Sequence, residues 1–477
     1  MVDDDAFRGD RNTESPIIKI ISKKNLRSSI FIALARGLRI IPIDFLTIYL
    51  KLHIVMLQKF KQAMPYFTGL LLLLLLVQSV GRASNKSDFH DYYTASQLFY
   101  GQKDLYNIES IETLREEIKL EDIFKPENFK KLEALKGNVG TYIYPPLFAF
   151  LLIPLGWLSY PTGATIFILV NFICLLASLF LITKLISIKH PFSVLFFTLA
   201  INYRYLESHV SNNQVAFILI LLMLLAVYVK NDALSGILLS LAIIIKITPA
   251  IFLFYFLYKR QFKRFAYAFL FAGIWTLLPS IYSHEYNLHS LGNWYELVLN
   301  NAMKNPAFRS WKNNQSLIAT IAKYFMVGAD PLNQALFAMP FISLGAKAIT
   351  YLFYFFSLLI GIPFLYRLKV GFKDAELISI LFILSVIFSG ISWVHSFVVL
   401  LFPIAYLISR IFEDQILGAK RKVFICICVL TIVTARSIIG STLEGVFLMF
   451  SILLYTSLGF YFLLLKINSG DSNATGS

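Results

Sequence analysis

Long apolar runs recur along this chain and are punctuated by short polar clusters rich in lysine and arginine. MPYFTGLLLLLLLVQSV (64–80) is the first run of a length that carries a helix across a bilayer, so a span is predicted over about 62–81. Further spans are predicted at 162–185, 191–206, 213–229, 265–282, 341–366, 375–391, 394–412, 423–439 and 442–465. ALSGILLSLAIII (233–245) and PAIFLFYFLY (249–258) read as a hairpin with Lys246 and Thr248 near its turn. The pattern predicts an all-α polytopic membrane protein with about 11–13 transmembrane helices and juxtamembrane helices on the outer surface.

Two apolar stretches do not read as plain spans. TYIYPPLFAFLLIPLGWLSY (141–160) is interrupted by Pro145, Pro146 and Pro154 and reads as a re-entrant or surface helix, a full crossing being the alternative. The segment 28–61 contains Arg36, Arg39, Pro42, Asp44 and Lys51, charges that a span would have to bury. An amphipathic element on the cytoplasmic face costs less. The expected organisation is a basic cytoplasmic or interfacial extension (1–61), a transmembrane domain (62–466) with outer loops 82–161 and 283–340, and a polar tail (467–477). Within the first loop, IESIETLREEIKL (108–120) has helical character.

Composition agrees with this class and narrows it. Hydrophobic residues make up 57% of the chain and charged residues 15%, against about 25% charged in soluble domains. The net charge of +15 sits in clusters between apolar runs, which marks cytoplasmic loops and not a nucleic-acid groove. Putting Lys184, Lys189, Lys230, KRQFKR (259–264), Arg367, Lys369, Lys373 and Lys420 to Lys422 inside fixes the parity of the spans. Both termini are then cytoplasmic. Cys174, Cys426 and Cys428 all lie in apolar runs and read as core residues, not as a disulfide or zinc framework. HExxH, CxxC and Gly-rich phosphate loops do not occur, and His284, Glu285 and His289 read as a solvated loop.

Under this parity, polar residues from distant segments gather at the outer surface. They are Asp88 and Asp91, Tyr142 and Tyr144, Arg204, Asn213 and Gln214, Lys246, Lys312 to Gln315, and Trp393 with His395. Asp88 follows the first span directly, and position alone leaves it open between a loop acid and a site. Lys246 lies in SLAIIIKITPAIFLF, where it either snorkels from a helix end or serves as a cation for a phosphate. His395, in FSGISWVHSFVVLLFP, is either a satisfied core histidine or part of a polar, aromatic mouth with Ser389, Ser392 and Trp393.

Five motifs in order over residues 64–410 resemble those of glycosyltransferase family 87, polytopic enzymes with the GT-C membrane fold that include polyprenol-phosphate-mannose-dependent mannosyltransferases. DFHDYYTASQLFYGQKDLY is similar to the family's opening motif, with Asp88, Tyr92, Ala95, Gly101, Leu105 and Tyr106 in its places. YIYPPLFAFLLIPLGWLS resembles its Tyr-Pro-Pro segment. NNQVAFILILLMLLAVY with SGILLSLAIIIKITPAIFLFYFLYKRQFKR is similar to its Gln-containing span and Lys-x-x-Pro hairpin, while NNQSL and SGISWVHSF are similar to two later motifs. The family usually has a small residue, often Gly, where this chain has Asn213.

The resemblance implies an inverting transfer of a sugar, mannose in the best-known members, from a membrane-embedded polyprenyl phosphate to a glycolipid or glycan hydroxyl. Asp88 matches the family's catalytic carboxylate. Lys246, His395 and Arg204 become candidates for the donor phosphate, and Tyr92, Tyr144, Gln214, Asn314, Gln315 and Trp393 for sugar or acceptor. Neither metal nor cofactor is implied. The expected location is the plasma membrane with the site facing outward. Two other readings remain at this point: a ligase or polymerase of the O-antigen type using a diphosphate-linked glycan, and a non-catalytic transporter or flippase.

Overall fold

The computed structural model describes residues 43–106, 142–300, 311–326, 339, 342–413 and 415–467. Every regular element among them is helical. The expected elements at 1–42, 108–120 and 468–477 lie outside the described residues. The chain divides into two compact units, Met1–Met64 and Pro65–Ser477.

Helix α1 (Ile43–Gly81) is continuous through Pro65, and its portion Gln58–Gly81 is long and apolar enough to cross a membrane. The described end of the expected surface segment (28–61) is therefore part of the same helix as the first span.

In the second unit, α2 (Asp88–Tyr100) is followed by two short helices, α3 (Pro146–Leu151) and α4 (Ile153–Gly156). Prolines open both, where a missing N–H costs nothing, and neither is long enough for a crossing. Next come α5 (Tyr160–Ile186), α6 (Pro191–Ile201), α7 (Tyr203–Ser211), α8 (Ala216–Tyr228) and α9 (Asp232–Ile245). A 3-10 turn (Thr248–Phe252) leads into α10 (Leu253–Tyr258), then α11 (Phe262–Leu277), α12 (His284–Trp294), α13 (Leu317–Phe325), α14 (Ala346–Val370) and α15 (Asp374–Ile387). A second 3-10 segment (Val394–Leu400) opens α16 (Leu401–Phe412), and α17 (Gly418–Val433), α18 (Arg436–Met449) and α19 (Ile452–Ile467) follow.

Among the described residues 5 helices have the length and hydropathy of a span, or up to 7 if the bent pairs α7–α8 (119°) and α17–α18 (88°) each count as one. This fits the expected polytopic all-α class. Hydropathy reads 191–206 as one run, whereas the backbone breaks at Asn202; it reads 442–465 as one run, whereas α18 ends before Ser451. Four apolar helices fall below span length: Pro191–Ile201, Asp232–Ile245, Thr248–Tyr258 and Ile452–Lys466.

The core lies around α15, whose residues from Ala375 through Ile387 are all buried, and which packs on α16 and α19. A helix apolar on every side belongs in such a place. The basic clusters are drawn together by ion pairs: Arg264 to Asp232 (2.9 Å), Lys259 to Asp374 (2.7 Å), and Arg367 to Glu376 (3.3 Å). The Tyr258 hydroxyl accepts from the Phe372 N–H at 3.1 Å beside them. The starts of α9, α11 and α15 and the end of α14 are thereby linked to one another, the grouping that charge parity requires of one membrane face.

Candidate active site

Helix α2 begins at Asp88, with Asp88 and Asp91 in its first turn. The partial positive charge of a helix N-terminus favours carboxylates there. Phe89, Tyr92, Ala95, Ser96 and Phe99 form the buried face of α2, which packs on α3 and α4. Phe89 stacks on Phe167 of α5 at 4.8 Å, and Tyr92 meets Phe148 edge-on at 5.1 Å. Gly156 lets α2 and α4 approach closely, since a methyl group there would push against Ser96 Oγ.

The break between α7 and α8 brings Gln214 to this helix. Its side-chain N–H donates to the Asp88 carboxylate, and its Oε1 accepts from the Tyr92 hydroxyl at 2.8 Å. Tyr92 and Tyr144 hydroxyls lie 3.0 Å apart. Lys246 Nζ is 6.0 Å from the centre of the Tyr144 ring and within electrostatic range of Asp88. It makes no hydrogen bond or ion pair with any of the described residues. Asp88, Tyr92, Tyr144, Gln214 and Lys246 thus meet at one place, although they come from opposite ends of long sequence intervals.

Asn213 turns the chain into this contact in the left-handed region, at φ 48°. Gly adopts that conformation without cost, and Asn tolerates it better than other side-chain-bearing residues. The difference from the family's small residue therefore preserves the backbone path. Burial pushes the Asp88 carboxyl up to about 6 and the charge of Asp91 adds to the rise, while the Gln214 N–H and Lys246 act in the other direction. Burial also raises Tyr92 and Tyr144, which keeps both hydroxyls protonated at neutral pH.

Residues 142–370 match glycosyltransferase family 87. On that match the protein is a glycosyltransferase, and its long apolar helices make it a membrane one. No curated protein and no solved structure matches the chain. The matched region contains Tyr144, Arg204, Gln214, Lys246, Asn314 and Gln315. Asp88, Trp393 and His395 lie outside it, and Asp88 reaches it through the bond from Gln214.

The transferase puts its remaining candidates in different surroundings. His395 is buried at the start of the 3-10 segment that packs against α7, with its ring 5.7 Å from Trp393. Trp393 in turn lies 5.3 Å from Trp311. Lys246, Thr248, Ser385, Ser389, Ser392 and Ser396 line a small cavity. Asn314 donates to the Gly390 carbonyl at 3.0 Å and accepts from the Ser392 N–H at 2.9 Å. Gln315 donates to the Lys312 and Leu448 carbonyls (2.7 and 2.8 Å) and accepts from the Leu453 N–H (3.3 Å). Both amides therefore clamp backbone, and the Asn314 clamp holds the turn that leads into Trp393 and His395. Arg204 is paired with Glu444 at 2.8 Å and donates to Thr434 Oγ1 at 2.9 Å, tying α7 to α17 and α18.

His209 escaped the sequence reading as a site residue. It is buried on α7 with its ring 3.8 Å from that of Phe217 and lies within electrostatic range of Lys246 and His395. Its carbonyl accepts from the Gln214 N–H at 3.2 Å. The available signal was the polar density of YRYLESHVSNNQ between two apolar runs. His284, Glu285 and His289 are exposed on α12, in keeping with a solvated segment.

Proposed function

We propose that this transferase moves a sugar, mannose in the reading we favour, from a polyprenyl-phosphate carrier to a hydroxyl of a glycolipid or glycan at the outer face of the membrane. The observation that carries the reading is the pairing of Asp88, oriented by Gln214, with an unneutralised Lys246 in the same site. The acceptor oxygen attacks the anomeric carbon and Asp88 takes its proton. The bond from that carbon to the phosphate oxygen breaks as the new one forms, and the phosphate leaves with the electron pair on the opposite face. Configuration inverts. Lys246 balances the charge that grows on the departing phosphate, and His395 is placed to donate a hydrogen bond to it.

One carboxylate suffices, because a phosphate leaves without the acid that an alkoxide requires. A base whose pKa stands near 6 is mostly ionised at neutral pH and still basic enough to assist. Tyr92, Tyr144 and Gln214 form a hydrogen-bonded wall suited to sugar hydroxyls, and Trp393 offers an aromatic face beside His395. Transfer in vitro from a polyprenyl-phosphate sugar by wild type and Asp88→Asn tests the proposal. The variant is expected to lose a factor of about 10²–10⁴ in turnover while binding donor normally. Transfer at the wild-type rate by Asp88→Asn rules out the assigned base.

A further inference from the structure

We propose that His209 is a third contact for the donor phosphate, joining Lys246 and His395 in place of Arg204. The inference rests on the lipid-phosphate reading above and deepens it. His209 is 2% exposed, and its Nε2 has no hydrogen-bond partner among the described residues. Buried polar atoms in folded chains are nearly always partnered, so this imidazole nitrogen is open to a ligand atom. Its ring is fixed by the close contact with Phe217, at 3.8 Å between centroids, and cannot turn away cheaply.

The elements around His209 agree. Helix α7 packs against the 3-10 segment that contains His395, and Tyr205, one turn before His209, meets Phe397 of that segment at 5.8 Å. The charged neighbours of His209 and His395 are Lys246 and one another, with no carboxylate among them. Glu207, the acid on the same helix, is engaged by Arg82 at 3.5 Å. Lys246 is also within electrostatic range of Asp88 but makes no ion pair with it, so the lysine and the two histidines converge as donors for an anion. The donor phosphate is a diester with two free oxygens that becomes a monoester with three as the sugar leaves, and it is held best by several convergent donors. Arg204, by contrast, has both terminal guanidinium nitrogens engaged, one on Thr434 and the other on Glu444. The same residue links the two halves of the site, because the His209 carbonyl holds the Gln214 backbone whose side chain orients Asp88.

The test uses the full-length protein in lipid nanodiscs and sugar-free polyprenyl monophosphate as competitor against transfer. His209→Leu keeps the packing on Phe217 and removes the N–H; His209→Asn keeps an N–H. The expected result is at least a tenfold rise in both the inhibition constant of the lipid phosphate and the donor KM for His209→Leu, with a smaller change in kcat and with substantial recovery in His209→Asn. Melting temperatures check that both variants are folded, and His209→Met replaces the leucine variant if that protein does not accumulate. Equal inhibition of wild type and the apolar variant overturns the role of His209 alone, as does equal weakening of the apolar and asparagine variants. A wild-type enzyme that lipid phosphate does not inhibit overturns the donor reading itself.

Discussion

Asp88 and Asp91 occupy one turn of one helix and meet different surroundings. Asp88 is oriented by Gln214 and faces Lys246, whereas Asp91 acts on it chiefly as a nearby negative charge. The pH dependence of transfer separates these effects. A base must be ionised, so kcat/KM is expected to fall as pH drops through about 6, the value to which burial lifts the Asp88 carboxyl. Asp91→Asn removes a charge that raises that value, and the acid limb is expected to move to lower pH. Gln214→Ala removes a donor that lowers it, and the limb is expected to move to higher pH. Profiles that fail to shift in opposite directions would show that another group titrates. Asp88 was legible because its spacing to Tyr92, Ala95 and Gly101 carries a motif. Arg204 was not, because its partner Glu444 lies 240 residues along the chain and no local pattern announces the pair.

Helices α9 and α11 illustrate how an element positions a residue it does not resemble. Lys246 directly follows α9, and α9 packs closely along α11. Gly236 makes this approach feasible: a Cβ there would lie 2.5 Å from Tyr267 Cβ and 2.8 Å from the Ala268 backbone nitrogen. Small residues serve helix contacts in membranes for this reason. Gly236→Val is expected to cost about 1–3 kcal/mol through overpacking and to weaken donor binding by displacing Lys246. Gly273→Val, on α11 with nothing within 4 Å of the added Cβ, is the control and should melt like wild type. Thermal unfolding and donor KM of the two variants decide the matter; equal stability would mean that the helices separate without penalty. The sequence shows that Gly236 is small but not which neighbour it faces.

Across the whole molecule, charge parity and tertiary contacts describe the same grouping. Lys259, Arg264 and Arg367 are joined by ion pairs to acids at the starts of α9 and α15. Asp88, Gln214 and Lys246 are gathered in a separate cluster. Cysteine labelling in intact cells tests which cluster faces outward. With Cys174, Cys426 and Cys428 replaced, an impermeant maleimide is expected to label Asn85→Cys directly and Lys263→Cys only after permeabilisation; both native residues are exposed. The reverse pattern would put the site on the cytoplasmic side.

Hydropathy alone determined an all-helical membrane protein, because runs of apolar residues leave no cheaper way to satisfy the backbone in lipid. Motif order alone pointed to the glycosyltransferase family that residues 142–370 match. The number and course of the helices were decided by tertiary structure. The helices break at Asn202, Asn213 and Lys246, and the break at Asn213 brings Gln214 to Asp88, a contact that hydropathy does not register. Tertiary structure also separated polar residues that the sequence had grouped together. Gln214 meets Asp88, whereas Arg204 is bound to Glu444 and Asn314 and Gln315 to backbone, and His209 arrives with an unpartnered nitrogen beside Lys246. Hydrogen bonds and ion pairs select their partners in space, and positions along the chain record that choice only where spacing repeats a motif.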